Sequence, residues 1–132
     1  MTVALWSSFY ETGHSEVDLQ HQRLFGMINS LHEAMERHRG REILGPLLRD
    51  LADYTLEHFA AEESLMCESG FPHLERHRQL HAELARQVDE YLLRYSAGYF
   101  TLPSTLSRFL AEWLKNHIRK EDAAFVAWLK AP

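Results

Sequence analysis

Apolar residues recur along this chain at alternating steps of three and four, the period of an amphipathic α-helix. Val17, His21, Leu24, Ile28, Leu31 and Met35 form a first stripe. Ser15 stands where a cap is needed and Gly40 where a stop is, which predicts a helix over about 16–38. Leu44, Leu47, Leu51, Tyr54, His58 and Leu65 form a second stripe, closed by Ser69, Gly70 and Pro72. Proline is tolerated in the first turn of a helix, so Pro46 sets the expected start of a span over about 46–68. Leu74, His77, His81, Leu84, Val88, Tyr91 and Tyr95 continue the pattern without a break and predict a helix over about 73–96. Leu106, Leu110, Trp113, Leu114, His117, Ala124 and Trp128 mark the inward face of a fourth, over about 104–129. No strand pattern competes, and the connections are short. The expectation is an all-α, antiparallel up-down-up-down four-helix bundle, one domain over residues 1–132.

Composition narrows the function. The chain carries 14 basic and 19 acidic residues, a net charge of -5, with no basic stripe to neutralise a phosphate backbone, so no nucleic-acid partner is expected. Its opening, MTVALWSSFYETGH, lacks a basic-then-apolar leader, and no apolar run approaches the roughly 20 residues of a spanning helix. The expectation is a cytoplasmic chain with no membrane insertion. Cys67 is the one cysteine, which excludes an intramolecular disulfide.

The chain has nine histidines, and five of them, His21, His58, His77, His81 and His117, fall on the apolar stripes, at least one per helix. Burying an imidazole costs free energy unless it finds a partner, and a metal ion satisfies several at once. His58 and Glu62 in HFAAE, like His77 and His81 in HRQLH, are i,i+4 pairs on one helix face. With Asp122 the inventory is five imidazoles and two carboxylates, too many for one four-coordinate zinc and suited to two metals bridged by carboxylates. Mixed imidazole and carboxylate donors favour iron over calcium or magnesium; donor type alone leaves manganese open.

These residues resemble those of the bacterial hemerythrins. The matching stretches are Trp6, VDLQHQRLF with His21, YTLEHFAAEESLM with His58 and Glu62, HRQLH with His77 and His81, and WLKNHIRKED with His117 and Asp122. Each is weak alone; together, in family order and spacing over essentially the whole chain, they are specific. The resemblance implies a hemerythrin-like domain with two iron ions under an oxo or hydroxo bridge. It implies His77, His81 and His117 on one ion, His21 and His58 on the other, and Glu62 and Asp122 bridging. Given that third bridge, the ion held by His21 and His58 keeps one position for dioxygen. The implied role is reversible dioxygen binding for storage, transport or delivery to an oxygen-consuming enzyme, not catalysis. Phe59, Trp113, Leu114 and Ile118 are implied walls of the oxygen pocket.

Spacing and resemblance part at the last carboxylate. Glu121 is i+4 from His117, whereas Asp122 is i+5, about 140° round an ideal helix. Asp122 is taken on resemblance, which leaves Glu121 as a solvated surface charge. His14, His32, His38 and His73 are expected to face solvent, and Met27, Met35 and Met66 to fill core space. HEAME at 32–36 lacks the second histidine of a zinc protease motif. The single Glu-x-x-His, Glu11 to His14, precedes the first helix and argues against a ferritin-like oxidase. An oxygen or redox sensor, or an enzyme acting on peroxide or nitric oxide, remain the rival readings of the same fold.

Overall fold

The computed structural model describes residues 2–98, 102–103 and 105–132. Its helices are α1 (Ser15–Glu36), α2 (Arg41–Ser69), α3 (Leu74–Ser96), α4 (Leu106–His117) and α5 (Ala123–Lys130); a π-helical turn, Ile118–Asp122, joins the last two into one rod. No strand occurs among the described residues. The rods form the antiparallel four-helix bundle expected, α1 lying against α2 and α4, and α2 against α3.

Several boundaries differ from expectation for local reasons. His14, not Ser15, caps α1, its Nδ1 accepting from Val17 N at 3.3 Å. The helix closes at His38 rather than Gly40: His38 adopts φ 53°, and the bonds His38 N to Met35 O and Arg39 N to Ala34 O complete a Schellman turn. Helix α2 begins at Arg41, ahead of Pro46, so the proline sits inside the helix, past its first turn. Its missing N–H removes the helical donor to the Glu42 carbonyl, a loss that is cheap where both residues are exposed to solvent.

The π turn shifts everything after it by one position. Ala124 and Trp128, expected inside, are exposed, and Phe125 and Val126 are fully buried in their place. One additional residue in the turn carries about 100° of rotation, enough to exchange one face of α5 for its neighbour.

Two apolar clusters result. The larger contains Leu24, Phe25, Ile28, Leu48, Leu51, Phe59, Leu84, Val88, Leu110 and Leu114; the smaller contains Met66, Phe71, Phe125 and Val126. At about 1.5–3 kcal/mol for each large side chain removed from water, these clusters hold the rods in register. The sequence positions between them, 21, 58–62, 77–81 and 117–122, form a polar layer across the bundle. A lead-in segment closes one side, where Asn29 accepts from Val3 N and Ala4 N and donates to Ala4 O at 2.7–3.1 Å, seating Trp6 against Phe25.

Candidate metal centre

His21, His58, Glu62, His77, His81, His117 and Asp122 all lie in this layer, each at most 6% exposed. The i,i+4 pairs put two donors on one face of α2 and two on one face of α3, and α1 and the α4–π segment supply the rest. Two overlapping sets form, each with ligand atoms within 4.8 Å of one another: Glu62, His77, His81, His117 and Asp122, and His21, His58, Glu62 and Asp122.

Each carboxylate offers one oxygen to each set. Glu62 Oε1 is 2.9 Å from His77 Nε2 and 3.2 Å from His81 Nε2, while Oε2 is 3.9 Å from His21 Nε2 and 3.8 Å from His58 Nε2. Asp122 Oδ1 is 3.0 Å from His77 Nε2 and 3.2 Å from His117 Nε2, while Oδ2 is 2.9 Å from His21 Nε2. Glu62 and Asp122 thus belong to both sets.

The spacing suits metal ligation better than hydrogen bonding. Metal–nitrogen bonds of about 2.1 Å place two donors at right angles roughly 3 Å apart; His117 Nε2 lies 3.1 Å from His81 Nε2 and 3.2 Å from His77 Nε2. Both nitrogens of His21, Oε2 of Glu62 and both oxygens of Asp122 are buried with no hydrogen-bond partner. Unmet buried polar groups cost about 1–3 kcal/mol each, which a cation at the convergence point would offset.

Outer contacts set the tautomers. The Nδ1 of His81 lies 2.8 Å from Glu63 Oε2, and the Nδ1 of His58 lies 2.6 Å from Gln20 Oε1. Each oxygen accepts from Nδ1–H, so each Nε2 presents a lone pair to the centre. Neither partner is a sequence-predicted site residue, although each is adjacent in sequence to a ligand position. Helical adjacency turns them outward from the centre and toward the ring edge of the neighbouring helix.

Electrostatics divide the histidines. Burial pushes His58 down to about 4. Burial opposes the charged form of His77 too, but the close carboxylates of Asp122 and Glu62 outweigh it and raise His77 to about 9. Against the cost of burial, the surrounding imidazoles hold Asp122 well below the usual carboxylate range and Glu62 below it.

The remaining expectations divide. Phe59 stacks on His81 at 3.7 Å, Trp113 stacks on His117 at 4.5 Å, and both line a small apolar cavity with Leu114, Leu24, Leu110 and Val88. Ile118 is buried in the same core without lining that cavity. Glu121 is not a solvated charge: its side chain is 11% exposed and paired with Arg76 at 2.5 Å, which holds its carboxyl below the usual range. His32 is buried rather than solvent-facing, its Nδ1 2.7 Å from Ser107 Oγ and its Nε2 3.4 Å from Glu36 Oε1. His38 and His73 are exposed, and His14 is half-buried at its cap.

Residues 12–129 match the family described as hemerythrin HHE cation binding domain. The chain belongs to the hemerythrin family. It is 37% identical to a bacteriohemerythrin of Stenotrophomonas maltophilia over 99% of this chain and 84% of that one. A bacteriohemerythrin of Methylococcus capsulatus is 30% identical over 99% of this chain and the whole of its own length. Crystal structures of a wild-type hemerythrin superpose with TM-score 0.90 at 30% identity, over 96% of this chain and 98% of that one. A hemerythrin point mutant gives 0.93 at 29% identity, over 99% of this chain and 100% of that one. The hemerythrin bundle is therefore common ground among these proteins in fold and in family.

Proposed function

We propose that this hemerythrin holds two iron ions in the polar layer and binds dioxygen reversibly there, for oxygen storage, transport or delivery rather than catalysis. The observation that carries the reading is the sharing of Glu62 and Asp122 between imidazole sets of unequal number, three and two. His21 and His58 leave one donor position fewer filled than His77, His81 and His117 do, so dioxygen is received on the side of α1 and α2. A ferrous pair held by these residues would supply the reversible electron transfer that dioxygen binding needs.

The chain's own residues do the rest. Glu63 and Gln20 hold two rings in the tautomer that aims Nε2 inward. Phe59, Trp113 and Leu114 present apolar surface to the site and keep out water and anions that would displace the bound gas. The relatives' printed names, bacteriohemerythrin, support the same reading.

The test is iron per chain together with the visible spectrum of the reduced protein before air, in air and after oxygen removal. Two irons and a charge-transfer band that appears in air and disappears on deoxygenation are expected. Two irons that oxidise irreversibly would overturn reversible carriage, and absence of iron would overturn the metal assignment.

A further inference from the structure

The openings onto the polar layer differ in charge. Between α1 and α2 a groove of about 270 Å³ is lined by His14, Glu16, Gln20, Ser64 and Glu68, with the buried Glu62 at its floor. No lysine or arginine lines it. Among the described residues Glu16 and Glu68 have no ion-pair partner, and both are exposed. The Oε2 of Glu62, 2% exposed as a residue, has no hydrogen-bond partner. On the opposite side of α2, the groove toward α3 carries Arg78, in contact with Glu63 at 3.4 Å, and Phe59 stacks flat on His81 beneath it. A cation approaching there meets a guanidinium and then an aromatic wall.

Resting on the metal-centre reading above, we propose that the α1–α2 groove is the port through which divalent metal ions reach the layer. Glu16 and Glu68 gather the ion at the mouth, and Glu62 Oε2 receives it at the floor. His14 takes no part as a donor: its Nδ1 accepts from Val17 N, which leaves the proton on Nε2. Attraction by exposed carboxylates acts on the approach of the ion and is screened by salt, so it governs loading rate and not final occupancy.

The experiment mixes metal-free protein with ferrous ion under argon at low ionic strength, quenches aliquots with excess ferrous chelator and counts retained iron. The Glu16→Gln/Glu68→Gln variant is expected to load about three- to tenfold more slowly, with the deficit shrinking in high salt and the same final iron content. Ser64→Asp speeds loading and Ser64→Lys slows it; all three positions are exposed, and circular dichroism confirms that each variant folds. Asp89→Asn/Glu90→Gln, which removes the same charge from an exposed part of α3, keeps the wild-type rate. Full loading of the Glu16/Glu68 variant at the wild-type rate, or equal slowing by the α3 control, overturns the port while leaving the centre intact. Failure of the wild-type chain to retain iron overturns both.

Discussion

His117 and Asp122 are five residues apart yet meet at 3.2 Å, Nε2 to Oδ1, because Ile118–Asp122 winds as a π turn. In an unbroken α-helix Glu121 would take the inward position. Instead it turns aside to Arg76, and Asp122 becomes fully buried. Asp122→Asn is therefore expected to lower the iron retained per chain. Glu121→Gln keeps the wild-type iron content and loses only a partly exposed ion pair, worth about 0–1 kcal/mol. Iron analysis after desalting, beside thermal melts, separates the two, and equal iron loss in both variants would count against the assignment of Asp122.

That turn also marks where the sequence stops being legible. The stripes on α1 and α3, and the three histidines within them, His21, His77 and His81, follow from local periodicity, which burial of one helix face enforces. Nothing in IRKED announces a π turn, since its cost is offset by contacts from other helices: Asp122 with His21 and His77, and Phe125 and Val126 with Met66 and Phe71. His32 was misleading for the same reason. It borders the α1 stripe, and its partner Ser107 arrives from α4, 75 positions away. Pro46 misplaced the start of α2 because one lost hydrogen bond on an exposed face is cheaper than losing a turn of packing by Leu44 against the core.

The Glu63–His81 contact argues for a measurable outer influence on metal affinity. Glu63 carries no candidate metal-bound atom, yet its oxygen fixes the ring that contributes Nε2. Removing such a partner costs about 10–100-fold in affinity. Glu63→Ala is expected to weaken metal retention by that factor in competition with a chelator, with Glu63→Gln recovering part of it because an amide oxygen still accepts from Nδ1–H. An unchanged affinity in Glu63→Ala would show that the ring is held by packing against Phe59 alone.

His38 is the one described non-glycine residue with positive φ, at 53°, and it is exposed at the end of α1. A side chain there strains against the backbone, which glycine relieves at some entropic cost to the unfolded state. His38→Gly should raise stability by about 0.5–1 kcal/mol, read as a higher denaturant midpoint with an unchanged slope. A lower midpoint would mean that the imidazole makes a compensating contact.

Opposite displacements of His58 and His77 set the pH behaviour of the metal-free chain. His77, raised to about 9 by Asp122 and Glu62 against the effect of burial, contributes stability that is complete below its unfolded value of about 6.5 and is lost as pH rises through 9. His58, depressed to about 4 by burial, acts the other way, costing stability as pH falls from about 6.5 toward 4, where the unfolded chain takes up the proton that the folded chain refuses. From these two groups, metal-free stability peaks near pH 6.5, at about the unfolded value. Metal binding requires His77 deprotonated, so loading expels its proton. Calorimetric titration in buffers of different ionisation heat should find the protons released falling by about half of one between about pH 7 and pH 9, as His77 arrives already neutral. A pH-independent count would mean that His77 is neutral in the metal-free layer and that its carboxylate contacts do not hold a charge.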